Sequence, residues 1–249
     1  MRLGLTSLAI LLSAACAPHA PQKLSIAAAA DLSFALEEVS REFRKTNRHL
    51  DLEIAYGSSG NFYSQIRNGA PFQLFLSADV DYPRRLAREG LALADTLFVY
   101  GVGRIVVWAP AQSPLDPATA LRQNSISHLA IANPQHAPYG RAAEAALRSM
   151  GLYDSLQPKL VLGENIAQTL QFVESGAADV GIVALSLAIA PPARDKGRYW
   201  EIPLDAYPKI EQGGVILKDS PGARQFRSYL LSAAGRAILK RYGFYLTGA

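Results

Sequence analysis

The sequence predicts an α/β fold of two lobes, each built on a mainly parallel sheet flanked by helices. Apolar strand-like runs and amphipathic helix-like runs alternate along the chain, the order that produces parallel sheets with helices on both faces. Several helix-like runs are followed by a glycine, as at Gly69, Gly90, Gly151 and Gly176, and glycine commonly ends a helix. The units are too numerous for one compact sheet, so we expect two.

The first half of the chain contains three strand–helix units. A strand is predicted at 24–29 because the run is almost entirely apolar. A helix is predicted at 33–46, where apolar side chains recur every three or four residues from Phe34 to Phe43 and charged residues fill the other side. By the same reasoning we expect strands at 50–55 and 72–77, and helices at 61–68 and 82–89.

The second half repeats this pattern. It predicts strands at 127–132, 160–162, 180–184 and 210–217, and helices at 141–150, 166–175, 223–231 and 235–242. Residues 98–107 predict one long strand, and this segment and 200–213 are candidates for two crossings between the lobes. We therefore assign 24–100 and 206–249 to the first lobe and 101–205 to the second. Two lobes joined by two crossings can close over a ligand as on a hinge.

Residues 1–20 have the features of an export signal. Arg2 precedes a short apolar stretch at 3–12, and small residues follow at 13–15. Small residues followed by Cys16 resemble a lipoprotein processing site, although Ser13 stands where that motif usually has leucine. Ordinary cleavage near Ala15 or Ala17 is the alternative. We expect a protein in the periplasm or at the outer face of the cytoplasmic membrane, lipid-anchored if Cys16 is modified.

The charge distribution argues against a nucleic-acid-binding protein, and the cysteine content argues against a fold stabilised by disulfides. The chain has 25 Lys and Arg against 21 Asp and Glu, a net charge of +4, and its basic residues are scattered over several helices. A nucleic-acid-binding protein would show a dense basic stripe, so we expect no nucleic-acid partner. Cys16 is the single cysteine, so the fold relies on its core and not on disulfides.

The segment Gly57-Ser58-Ser59-Gly60 predicts an anion site. It lies between a predicted strand and a predicted helix, and its glycines allow the backbone to approach a ligand closely. Hydroxyl groups beside the free N–H groups of a helix start can bind an anion. No lysine followed by serine or threonine is present, so the segment is not a nucleotide-binding P-loop. A plain turn with a serine cap is the alternative.

Three further strand-to-helix joints are built from similar small and polar residues. They are Ala29-Ala30-Asp31-Leu32-Ser33, the loop 133–140 with Tyr139 near its end, and Glu164-Asn165-Ile166. Ligands in open α/β sheets bind at the carboxyl ends of strands, where these joints lie. Each also has a structural interpretation, because Asp31 and Asn165 can cap helices, the latter with Gln168 in a capping box, and Tyr139 can be a wall residue.

Six longer motifs are specific when taken together. They are Ala28-Ala29-Ala30-Asp31-Leu32, Gly57-Ser58-Ser59-Gly60, Gln65-Ile66-Arg67-Asn68-Gly69-Ala70-Pro71-Phe72, Phe75-Leu76-Ser77-Ala78-Asp79, Asn133-Pro134-Gln135-His136-Ala137-Pro138-Tyr139-Gly140 and Gly176-Ala177-Ala178-Asp179-Val180-Gly181-Ile182-Val183-Ala184. This set resembles the molybdate-binding proteins of bacterial ABC importers over nearly the whole chain after the signal. The resemblance implies the two-lobed periplasmic binding protein fold.

The resemblance also implies a function. It implies a carrier, not an enzyme, that captures molybdate or tungstate and delivers it to an ABC importer permease. The family holds its oxyanion with neutral donors from both lobes, which here implicates Ala30, Asp31 and Ser59 on the first lobe and Tyr139 and the Ile166 N–H on the second. No catalytic residue, cofactor or metal cation is implied, and we expect a monomer.

Asp31 departs from the pattern of the family. Many members have serine there, and an ionised carboxylate facing a dianion would repel it. We therefore predict that the Asp31 side chain caps the helix beginning near Leu32 and offers only its N–H, or else is protonated. Many members also have tyrosine at the position of Ala184, and here Tyr139 supplies the hydroxyl instead.

Three alternatives stay open at this point. The same fold could bind sulfate, phosphate or another small anion. An exported hydrolase could use Asp31, His136 and Tyr139, and it would require His136 within hydrogen-bond reach of Ser59 and a carboxylate. The ligand-sensing domain of a regulator is disfavoured because no DNA-binding helix pair precedes it.

Overall fold

The computed structural model describes residues 22–246. Its strands are β1 (Gln22–Ala29), β2 (Leu50–Gly57), β3 (Leu74–Ser77), β4 (Phe98–Gly103), β5 (Ile105–Pro110), β6 (Leu129–Ala132), β7 (Leu160–Gly163), β8 (Val180–Ala184), β9 (Gly197–Glu201) and β10 (Ile210–Ile216). Its α-helices are α1 (Ser33–Thr46), α2 (Ser59–Arg67), α3 (Asp81–Arg88), α4 (Pro138–Ser149), α5 (Tyr153–Leu156), α6 (Ile166–Glu174), α7 (Leu185–Ala188), α8 (Pro191–Arg194), α9 (Pro221–Leu231) and α10 (Ala233–Arg241).

The strands form two five-stranded sheets. The first has the order β2-β1-β3-β10-β4 and the second the order β7-β6-β8-β5-β9. In the first sheet β1 pairs in parallel with β2 and β3, and in the second β6 pairs in parallel with β7 and β8. With helices around each sheet, this confirms the predicted two-lobed α/β fold.

Both sheets are mixed, which refines the expected, mainly parallel arrangement. Strand β10 runs antiparallel to β3 and β4, and β5 runs antiparallel to β8 and β9. The cause is the crossing of the chain between the sheets. A strand that arrives from the other sheet starts at the edge where the parallel strands end, so it must run against them.

The single strand predicted over 98–107 is wrong, because the chain forms two strands there. Strand β4 ends at Gly103 and β5 begins at Ile105, so the chain passes from the first sheet to the second at Arg104. The return lies between β9, which ends at Glu201, and β10, which begins at Ile210. The lobe boundaries given above, 24–100 with 206–249 and 101–205, stay a prediction.

Each sheet has a hydrophobic core of its own. In the first, Phe43 of α1 contacts Phe226 of α9 edge to face, with ring centroids 5.2 Å apart. In the second, the buried Trp108 of β5 lies in the same apolar cluster as Leu147 of α4. Helix α1 has the predicted bounds, since its apolar side chains recur at the helical period and can all face the sheet.

The carboxyl ends of the parallel strands converge between the sheets. Strand β1 leads into a short 3-10 turn, Ala30–Leu32, and β2 leads into α2. Strands β6 and β7 lead towards the starts of α4 and α6, so four strand ends meet where open α/β sheets bind ligands. Within residues 22–246 no helix has both the length and the apolar character needed to cross a bilayer. The predicted signal at 1–20 and Cys16 lie outside the described residues.

Candidate functional site

A small cavity lies where the two sheets face each other. The first lobe lines it with Ala29, Ala30, Asp31, Gly57, Ser58, Ser59 and Ala78, and the second with Ala137, Pro138, Tyr139 and Ile166. All five predicted site residues, Ala30, Asp31, Ser59, Tyr139 and Ile166, therefore line one cavity, and none of them is more than 3% exposed.

The two serines of the Gly57–Gly60 turn have different partners. Ser58 caps α2, because its Oγ accepts a hydrogen bond from the Asn61 N–H at 3.3 Å. Ser59 is fully buried, and its Oγ accepts from the Ala78 N–H at 2.9 Å. That bond uses a lone pair of Ser59 Oγ and leaves its hydroxyl hydrogen to be donated into the cavity. The cap and the candidate ligand donor are thus separate residues.

Helix α6 presents its first turn to the cavity. Asn165 Oδ1 accepts from the N–H groups of Ala167 and Gln168, both at 3.0 Å. Asn165 is thus the predicted helix cap, but Gln168 Oε1 accepts from the Glu164 N–H at 2.7 Å and not from the N–H of the cap residue itself, so the predicted capping box forms only its first half. The Ile166 N–H stands at the first helical position, where no acceptor exists within the helix.

The Asp31 side chain does not cap a helix, so that prediction is wrong. The 3-10 turn at Ala30–Leu32 continues directly into α1, and neither element has a side-chain cap. Asp31 Oδ2 instead accepts from the Tyr139 hydroxyl at 2.9 Å and from Gln212 Nε2 at 2.7 Å. The carboxyl group thus joins both lobes, because the two donors come from α4 and β10.

Burial makes Asp31 hard to ionise. Loss of water around the carboxyl raises the pKa of Asp31 from 3.8 to about 6, although the hydrogen bonds from Gln212 and Tyr139 act in the opposite direction. Burial, together with the charge of Asp31, raises the pKa of Tyr139 well above its ordinary value. The Tyr139 hydroxyl therefore keeps its hydrogen at physiological pH.

Gln212 is a site residue that the sequence reasoning missed. It is fully buried on β10, and its Nε2 donates to Tyr139 Oη at 2.9 Å as well as to Asp31. The available signal was an amide directly before two glycines in a predicted strand. Gly103, at the end of β4, makes room for this group, because a Cβ there would overlap the Tyr139 hydroxyl and lie 2.7 Å from Gln212 Nε2.

The two lobes contact each other at the rim of the cavity. The Gly60 N–H donates to the His136 main-chain oxygen at 2.9 Å, and a Cβ at position 60 would lie 2.5 Å from that oxygen, so only glycine fits. Arg141 Nη2 donates to Asp79 Oδ2 at 2.6 Å, and Nη1 lies 3.3 Å from the Tyr82 hydroxyl. These contacts hold the cleft closed around the cavity.

The hydrolase site is not assembled. His136 Nδ1 lies 2.9 Å from Ser58 Oγ and not against Ser59. Its Nε2 is 3.5 Å from Glu164 Oε2, too long for a good hydrogen bond. Asp31 and Tyr139 bond to each other and to Gln212. Over residues 22–246 there is also no cluster of three or more His, Cys, Asp or Glu that could hold a metal ion.

Known proteins share this architecture. Residues 24–245 match the family described as bacterial extracellular solute-binding protein. The molybdate-binding protein ModA of Azotobacter vinelandii is 39% identical over 99% of this chain and 100% of its own length. ModA of Rhodobacter capsulatus is 36% identical over 98% of this chain and 96% of its own. The solved Azotobacter vinelandii periplasmic molybdate-binding protein superposes with a TM-score of 0.83 at 36% identity, covering 90% of this chain and all of the other. The chain therefore belongs to the bacterial extracellular solute-binding protein family.

Proposed function

We propose that this protein captures molybdate or tungstate in its cleft and delivers it to the permease of an ABC importer. The observation that carries the proposal is the cavity, whose lining apart from Asp31 offers neutral hydrogen-bonding groups from both lobes. Its lining includes the hydroxyl groups of Ser59 and Tyr139 and the first turns of α2, α4 and α6. Two relatives that match over almost their full length are named molybdate-binding proteins.

The chemistry of the ligand suits such a site. A tetrahedral dianion accepts hydrogen bonds and offers none, and each charge-assisted bond contributes about 1.5–3 kcal/mol. The starts of helices add a favourable potential without a bound cation. Because the donors are neutral, the anion leaves behind no unpaired lysine or arginine when it passes to the permease.

We further propose that the protein is a carrier and not an enzyme, that it works as a monomer without a cofactor, and that it resides in the periplasm or at the outer face of the cytoplasmic membrane. The family description, an extracellular solute-binding protein, supports the first and last of these proposals. The proposed lobes, 24–100 with 206–249 and 101–205, would close over the anion and open to release it.

Competition calorimetry on the chain without residues 1–20 tests the proposal. Molybdate and tungstate should bind and raise the melting temperature, because a ligand that binds only the folded state stabilises it. Sulfate should bind weakly, since it is smaller than the ions that the cavity is proposed to fit. Equal affinity for sulfate or phosphate would make the smaller anion the ligand, and no binding by any of the four would refute the proposal.

A further inference from the structure

We propose that the oxyanion binds together with one proton, which the Asp31 carboxyl takes up as the anion enters and gives up as it leaves. This inference rests on the proposed function and adds a role for Gln212. Gln212 is a positioning residue, which holds Asp31 and Tyr139 in the geometry that makes the exchange possible.

The number of hydrogen atoms on three buried side chains limits what Tyr139 can donate. Asp31 Oδ2, Tyr139 Oη and Gln212 Nε2 form a triangle with sides of 2.9, 2.7 and 2.9 Å. The amide of Gln212 supplies two hydrogens, one for each of the other corners. An ionised carboxylate can only accept, so the one hydroxyl hydrogen of Tyr139 goes to Asp31. In that state Tyr139 has no hydrogen left for an anion.

One proton reverses this arrangement. A protonated Asp31 can donate to Tyr139 Oη, which has two lone pairs and accepts from Asp31 and Gln212 together. The hydroxyl hydrogen of Tyr139 then turns towards the cavity. A single proton from solvent thus removes a negative charge from the cavity wall and creates a donor for the oxyanion, and the same proton returns to solvent on release.

The surroundings of Asp31 favour this uptake. Its Oδ1 is buried and accepts no hydrogen bond from another residue of the described range, and within 22–246 no lysine, arginine or histidine bonds to its carboxyl. The neighbouring elements present two tyrosines, one amide and one hydroxyl: Tyr139 of α4, Tyr100 of β4, Gln212 of β10 and Ser186 of α7. If Asp31 stayed ionised, its carboxylate and the bound dianion would repel each other, and none of these neighbouring groups has a positive charge to offset the repulsion.

The pH window follows from the direction of the pKa shift. Burial already raises the pKa of Asp31 to about 6 in the anion-free protein, and a dianion in the same cavity raises it further. Above that pH the free protein is ionised and the complex is protonated. The affinity for the anion should therefore fall about tenfold per pH unit above the free-state pKa and level off below it.

Calorimetry measures the proton directly. Molybdate is titrated into the protein at about pH 7.5 in buffers that differ in ionisation enthalpy, and the dependence of the heat on the buffer gives the number of protons taken up. The unaltered chain should take up about one proton per anion. Asp31→Asn should take up none, because its side-chain amide does not titrate, and its affinity should not change with pH. His136→Asn, which removes an ionisable side chain at the rim, should retain the uptake.

Absence of uptake in the unaltered chain, its persistence in Asp31→Asn or its loss in His136→Asn would overturn the inference and leave the proposed function standing. Failure of every oxyanion to bind at any pH would instead overturn the proposed function, and this inference with it. If Asp31→Asn does not fold, infrared difference spectra of the unaltered chain decide the question. A protonated-carboxyl band that grows on molybdate addition supports the inference, and its absence refutes it.

Discussion

At the scale of single residues, the site depends on which atoms have a hydrogen to donate. Ser59→Ala removes a buried hydroxyl that the Ala78 N–H fixes in place. We expect the affinity for molybdate to fall by about 1.5–3 kcal/mol, the contribution of a hydrogen bond to a charged group. The melting temperature should fall modestly, since the Ala78 N–H loses its acceptor. Ser64→Ala, an exposed position on the same helix, is the control in calorimetry and should change neither quantity.

Asp31 also controls stability without any ligand. Its pKa is raised from 3.8 to about 6, so the folded protein binds a proton more tightly than the unfolded chain does. The contribution of Asp31 to the free energy of unfolding is therefore fully present below about pH 4 and is lost as the pH rises towards 6 and beyond, by up to about 3 kcal/mol for a difference of 6 − 3.8 = 2.2. Asp31→Asn removes this loss, so it should stabilise the anion-free protein at about pH 8. Urea unfolding across pH checks this, and an equal effect of the variant at about pH 4 would contradict it.

At the scale of secondary-structure elements, the first crossing between the sheets shapes the site. Strand β4 ends at Gly103, whose missing side chain leaves room for the Tyr139 hydroxyl. Gly103→Ala should displace that hydroxyl and Gln212 and lower the affinity for molybdate at least tenfold, about 1.4 kcal/mol. Gly101→Ala is the control on the same strand, because its Cβ would meet Phe244 Cβ at 3.3 Å, away from the cavity. Calorimetry should find its affinity nearly unchanged, and an equal loss in both variants would argue against the role of Gly103.

The parts of the structure that could be predicted are those that local sequence determines. The bounds of α1 follow from the spacing of its own apolar residues. Strand β9 was missed because it lies at the sheet edge with Arg198 and Tyr199 exposed, and it therefore lacks a periodic apolar signal. The five cavity residues were found through motifs at strand ends, but the bonds of Asp31 were not. Its partners lie 108 and 181 residues further along the chain, so no local pattern could indicate them.

At the scale of the whole molecule, helix α4 connects the anion site to the closure of the cleft. Its first turn places Tyr139 in the cavity, and Arg141 two residues later bonds to Asp79 on the opposite lobe. Movement of the second lobe away from the first would separate both contacts at once. We therefore expect the ion pair between Arg141 and Asp79 to stabilise the same closed state that the anion stabilises. Its main effect should be on how long the anion stays bound.

Arg141→Ala should accordingly accelerate the dissociation of molybdate and leave the fold intact. The side chains of Arg141 and Asp79 are 40% and 29% exposed, so solvent screens the pair and the loss of affinity should be only about 0.5–1 kcal/mol, smaller still at high salt. Arg148→Ala is the matched control. Arg148 lies two turns further along α4 and pairs with Glu144 of the same helix, not across the cleft. The two variants are compared by the rate at which bound molybdate dissociates when excess tungstate is added. Scattering measurements then report which fraction of each variant has its cleft closed. If Arg148→Ala accelerated release as much as Arg141→Ala, the effect would come from the stability of α4, and the ion pair across the cleft would have no part in holding the anion.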